Sequence, residues 1–184
     1  MDAAIDLFSQ NGFHATTTRM IAQSADVNEV TLFRLFKSKL QLFQGGLTHV
    51  KKVGFDSKRL IGLSLGPGEA IRFVIDTLME TFEEHPKEFQ IMFHAVMDQV
   101  EGFEAEFIGD HQAKLLSFLE TAFSKLVKGA GETIKNTPKI HAQMLVSTLL
   151  GLATGRILTQ TLPIKQYSRK EVCDYVANLY LNIQ

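Results

Sequence analysis

Residues 3–44 read AAIDLFSQNGFHATTTRMIAQSADVNEVTLFRLFKSKLQLFQ, and three short helical patterns fall inside them. Ala4, Ile5 and Phe8 make a first apolar face, which Asn11-Gly12 closes as a helix stop with a left-handed residue. Thr17 suits the N-cap of a second helix through Ala25, because its hydroxyl can accept from an orphan N–H of the first turn. Asn28 does the same for a third helix running to about Phe36. Asp26 falls in the turn between them, where aspartate tolerates left-handed backbone better than most residues. Ser38 starts a fourth helix, with Gln41 at capping-box spacing. Three short helices joined by tight turns make a compact head.

From Leu40 outward the helices lengthen, and no stretch alternates strictly enough to be a strand. The fourth runs to roughly Leu60, and Gly62 to Gly68 with Pro67 is the clearest linker. A fifth helix presents Ile71, Ile75, Leu78 and Phe82 and ends near His85-Pro86. Phe89, Met92, Phe93, Val96, Met97 and Val100 define the sixth by i, i+3, i+4 spacing. Leu115, Phe118, Leu119, Ala122 and Phe123 mark a seventh, which stops at Gly129-Ala130-Gly131. An eighth runs from about Pro138 to Gln160, and a ninth from Ser168 to the end. The expected fold is all-α, about nine helices, with a three-helix head over residues 1–44 and a larger helical bundle over 45–184.

The head resembles the DNA-binding domain of the TetR family of transcription regulators. The resemblance is carried without gaps by Ala3-Ala4, Leu7-Phe8, Gly12-Phe13, Thr16-Thr17, Ile21-Ala22, Ala25, Val27, Thr31-Leu32-Phe33-Arg34, Phe36 and Ser38-Lys39. It implies a helix-turn-helix whose second element, here the third helix, enters the major groove with its N-terminal turn against base edges. Leu32 and Phe36, four apart, anchor that helix to Ile5, Phe8 and Ile21. Glu29, Val30, Thr31 and Arg34 are then left facing outward as reading candidates, and Asn28 and Phe33 are also expected among the DNA-binding residues. Arg34 can grip guanine or a phosphate, Thr31 can reach a base edge or a thymine methyl, and Glu29 can accept from cytosine N4. Thr16, Thr17, Arg19, Lys37 and Lys39 flank the reader and suit phosphate contacts. Phe33 stands where the family usually has tyrosine and Leu35 where it often has histidine or tyrosine, so two phosphate donors are missing. Asp26 replaces the glycine usual in the turn.

The totals narrow the remaining classes. With 45% apolar residues the chain can bury a real core, and a net charge of -1 argues against a generic polyanion binder. No secretory signal follows Met1, and the most apolar stretch, Met144 to Ala153, is too short to span a bilayer. Cys173 is alone, so neither a disulfide framework nor a cysteine cluster for zinc is expected. These features place the chain in the cytoplasm, away from membranes. Cys173 is expected to be a small buried apolar residue.

In the body, the eighth helix is apolar on nearly all sides around Met144 to Gly155 and must therefore be covered on both. Ser147, Gly151 and Gly155 recur every four residues as a smooth ridge. The family resemblance implies a homodimer built on the last two helices, so these three residues, with Val172, Val176 and Leu179, are the expected interface. Helices five to seven bring Met79, Phe82, Phe89, Met92, Phe93, Met97 and Phe118 forward as an adaptable apolar lining, the mixture of methionine and aromatics that suits a small effector. His94 and His111 are its polar candidates. The resulting expectation is a regulator, a repressor, binding near-palindromic double-stranded operator DNA under control of a small apolar effector.

Two other readings compete. An enzyme is disfavoured, because no metal-spaced histidine pair, phosphate-binding glycine loop after a strand or nucleophile elbow occurs, and no metal or cofactor is expected. Asp98, Glu101, Glu104 and Glu106 read as a solvated acidic edge. A degenerate family member that binds ligand or protein but not DNA is the nearer alternative, supported by Phe33, Leu35 and a head of zero net charge.

Overall fold

The computed structural model describes residues 1–53, 64–101, 109–127, 137–158 and 166–181, without the side chains of 49–53, 109–111 and 127. Among the described residues nine helices and no strand occur: α1 Asp2–Ala15, α2 Thr18–Ser24, α3 Glu29–Phe36, α4 Lys39–Val53, α5 Pro67–Glu84, α6 Pro86–Met97, α7 Gly109–Val127, α8 Thr137–Ile157 and α9 Arg169–Leu181. The expected end of α4 near Leu60, the glycines after α7, Gln160 and the last residues of α9 lie outside the described residues.

Helix starts follow local chemistry. Thr17 accepts from the Met20 N–H at 3.2 Å, Asn28 from the Val30 N–H at 2.8 Å, and Ser38 from the Gln41 N–H at 3.1 Å. Pro67 and Pro86 occupy the first positions of α5 and α6, where a missing N–H costs nothing. Ser168 and Glu171 form a reciprocal capping box on α9, with bonds of 2.8 and 3.2 Å. Pro67 and Gly68, expected in a linker, are instead the first turn of α5.

Packing sorts the helices into two units, α1–α4 with α6, and α5 with α7–α9. This division differs from a cut after residue 44, because α4 crosses that point and α6 packs on α1 and α4. The core of the first unit joins Ala4, Phe8, Ile21, Leu32, Leu42, Phe43, Leu47, Ile91 and Ala95. The Phe8 and Phe13 rings meet the Phe43 ring edge-on at 4.8 and 5.1 Å between centroids, a favoured aromatic geometry.

In the second unit Ile71, Ile75 and Met79 of α5 are fully buried, as are Leu119 and Phe123 of α7 and Leu145 of α8. Charged groups clip its rim. Arg72 bridges Asp76 at 2.8 Å and Asp174 of α9 at 2.6 Å, and Arg156 of α8 pairs with Glu83 of α5 at 2.6 Å. Hydrogen bonds from Lys170 and then Arg72 hold the Asp174 carboxyl below its ordinary range. Cys173 is buried here as expected, and burial pushes its thiol up to about 11, so it stays protonated and inert near neutral pH.

Candidate nucleic-acid interface

The reading helix, α3, is eight residues long, and its burial pattern orients it. Leu32 is only 6% exposed and joins the head core, whereas Val30 is 75% exposed. Phe33, Arg34 and Leu35 are exposed as well, and Phe36 packs partly against the core. The turn from α2 into α3 closes with Asp26 at φ 52°, the left-handed geometry that an aspartate accommodates. The Thr18 hydroxyl donates to Glu29 Oε1 at 2.6 Å and ties the two helices side chain to side chain.

These bonds redistribute the expected DNA contacts. Glu29 is engaged by Thr18, and Asn28 spends its carbonyl oxygen on the α3 N-terminus. Thr16 is a correction. Its hydroxyl is fully buried and donates towards Gly12 O at 2.7 Å and Leu7 O at 3.0 Å, so it stitches α1 to the α2 turn instead of facing a phosphate. Lys39 is another. Its ammonium donates to Thr16 O at 2.9 Å, reaches His14 O at 3.4 Å and lies 4.4 Å over the Phe13 ring. Burial pushes its pKa below the ordinary lysine value, against the opposing pull of Asp98. Thr17, Arg19, Arg34 and Lys37 remain exposed beside Val30 and Phe33, with Thr31 half-buried. The Thr17 hydroxyl still has a proton to donate after capping α2. Replacing Thr16 with valine should cost roughly 1–3 kcal/mol through the lost buried hydrogen bonds. Chemical denaturation measures this, and an unchanged midpoint would contradict the stitching role.

A support that periodicity missed joins α1 to the end of α6. Gly12 breaks α1 with φ 78° and ψ 179°, which leaves the next N–H groups outside the helical ladder. Asp98, expected as part of a solvated acidic edge, collects them. Its carboxylate accepts from the Phe13 N–H at 2.6 Å and, more weakly, from the His14 N–H at 3.4 Å, while its carbonyl meets His14 Nε2 at 3.0 Å. Asp98 itself is placed by the end of α6, where Gln99 turns left-handed and Val100 bonds back to Ala95 O at 3.0 Å. The only local hint was Gly12; Asp98, which accepts from the next N–H, lies 85 residues beyond Phe13.

The expected ligand residues are divided. Met79 and Phe82 are buried and Phe118 half-buried in the second unit. Phe89, Met92, Phe93, His94 and Met97 all lie on α6 in the first. There Met92 packs on the head core, His94 sits against Gly12, and Met97 is 64% exposed. The His111 side chain lies outside the described residues. The expected interface also splits. Ser147, Gly151 and Leu179 face outward, but Gly155, Val172 and Val176 are buried in the chain's own second unit. Those three are core positions, because the inward faces of α8 and α9 need the same apolar residues as an interface does.

A short helix joined to its neighbour by a left-handed turn, with its core side buried and its outward side exposed, is the arrangement of a helix-turn-helix. Residues 1–45 match the model of the bacterial regulatory proteins of the tetR family. The helix-turn-helix-type transcriptional regulator YvkB of Bacillus subtilis is 28% identical over 85% of this chain and 80% of its own length. A TetR-like transcriptional regulator from Rhodococcus sp. RHA1 superposes with a TM-score of 0.77 at 20% identity, over 97% of this chain and 90% of that one. The regulator FadR from Bacillus subtilis, solved in complex with stearoyl-CoA, gives 0.61 at 17% identity over 98% and 95%. The head thus matches the tetR family of bacterial regulatory proteins, and the chain as a whole shares its fold with TetR-like regulators.

Proposed function

We propose that the protein is a repressor that binds a near-palindromic operator as a homodimer and releases it when a small, mostly apolar effector occupies the body. The observation that carries the DNA part is the outward face of α3, with Val30, Phe33 and Arg34 exposed and Arg19 and Lys37 free beside it. A two-fold protein requires a two-fold site, which is why the operator is palindromic in this reading.

The dimer reading is supported by an uncovered apolar stripe. On α8, Ile140 is 44%, Met144 56% and Leu150 37% exposed, and on α9 Tyr175 is 67% and Leu179 54% exposed. Thr148 and Tyr180 share a hydrogen bond of 3.0 Å that holds α8 beside α9. Such a stripe is costly in water and suits a partner helix pair. The effector reading is supported by the methionine and aromatic composition of α5 and α7 around Met79, Phe82 and Phe118, and by the acyl-CoA held by the FadR neighbour, a ligand with a long apolar chain.

Fluorescence anisotropy with effector-free protein and a randomised duplex pool tests the function. Binding that prefers particular sequences and weakens steeply with salt is expected. Sequence-indifferent binding at low salt would overturn the proposal and favour a ligand- or protein-binding module.

A further inference from the structure

We infer that the head reads its operator half-site chiefly through the C5 methyl groups of thymine, met by Val30 and Phe33. The inference rests on the DNA-binding reading above and deepens it by naming the base feature recognised.

The polar candidates at the start of α3 are largely committed inside the chain. Asn28 Oδ1 holds the Val30 N–H at 2.8 Å, Glu29 Oε1 holds the Thr18 hydroxyl at 2.6 Å, and Thr31 is half-buried. What the helix offers outward, Arg34 apart, is apolar. Val30 is 75% and Phe33 44% exposed, and with Arg34 they are spaced i, i+3 and i+4, one face of a helix. Leu32, near the opposite side of the same helix, is 6% exposed, so this orientation is set by the core. A valine near the N-terminus of a reading helix has no hydrogen bond to give a base. The major groove presents one apolar group to such a side chain, the thymine methyl. Arg34, on the same face and one turn beyond Val30, supplies a cation for guanine or for the adjoining phosphate, and Arg19 of α2 and Lys37 at the end of α3 are exposed for the backbone.

The discriminating substitution is in the DNA. Deoxyuridine keeps every hydrogen-bonding group of thymidine and removes only the methyl. A duplex enriched from the randomised pool is remade with uracil at one thymine position per half-site, symmetrically, and titrated by anisotropy. At one or two positions affinity should fall about fourfold per half-site, the effect of uncovering one buried methyl-sized group. Val30→Ala or Phe33→Ala should then bind thymine and uracil more nearly alike at the position each one covers. Both side chains are exposed, so these variants should keep the head core intact, which unchanged unfolding midpoints would check. If the enriched duplex binds equally well with uracil at every position, the methyl reading is overturned while the DNA-binding function stands. If the thymine preference persists unchanged in both variants, Val30 and Phe33 are not its source and the assignment is overturned. If no duplex is enriched at all, this inference and the function beneath it fail together.

Discussion

Replacing Gly12 with alanine should lower the thermal unfolding midpoint by about 5–10 °C, taking roughly 2–4 °C per kcal/mol for a chain of this size. Two effects act together. The backbone at φ 78° and ψ 179° belongs to a region essentially reserved for glycine, and forcing an L side chain there costs on the order of 1–3 kcal/mol. An added Cβ would also stand 2.7 Å from Asp98 Oδ2, closer than real contacts allow, and a tight 3.1 Å from His94 Nδ1. Asp98 would have to retreat, and retreat weakens its 2.6 Å bond from the Phe13 N–H. A charge-assisted bond of this kind contributes about 1.5–3 kcal/mol. Asp98→Ala alone should show only that second loss, and the double variant should lose less than the two single losses combined, because the clash disappears with the carboxylate. Calorimetry of the four proteins checks the cycle. A midpoint for Gly12→Ala within a degree of the parent would mean that α1 tolerates a side chain at its break.

Gly151→Leu should weaken self-association by about tenfold or more while leaving the fold of each chain unchanged. Nothing in the chain lies within 4 Å of a Cβ added at Gly151, so a single copy has room for the new side chain. In a dimer through α8 and α9 the same position faces its partner, and overpacking a close contact costs typically about 1–3 kcal/mol, where each 1.4 kcal/mol is tenfold in the dissociation constant. Sedimentation equilibrium at micromolar concentration, with helicity followed by circular dichroism, separates the two levels. A native protein that is monomeric there, or a variant that associates as tightly as its parent, would remove α8 and α9 from the interface.

Most of the head was legible in the order of its residues, because the relevant interactions are local. A cap acts two or three residues away, so Thr17, Asn28, Ser38 and Ser168 announce the starts of α2, α3, α4 and α9. The left-handed turn at Asp26 is equally local. Helical spacing also marked Leu32 as an anchor of the reading helix, since one face of α3 must be buried.

Periodicity identifies a buried face without naming what buries it. That is why Gly155, Val172 and Val176 read as an interface although they fill the chain's own second unit, and why α6 read as part of an effector lining although it packs on α1 and α4. Polar side chains carry still less positional information. Thr16, Glu29 and Lys39 look like free donors and acceptors in the sequence, and only folding brings them to Gly12 O, the Thr18 hydroxyl and Thr16 O.

The amino-acid sequence alone determined the all-helical class and the short helices of the head, because spacing, caps and turn residues act within a few positions of one another. The helix-turn-helix and its reading helix followed from the family resemblance of those residues. Tertiary structure alone decided that Asp98 closes the break at Gly12 and that Thr16 and Glu29 spend their polar groups inside the chain. Those outcomes depend on which distant backbone groups lack partners once the helices are packed, and a buried N–H without a partner is too costly to leave unmatched.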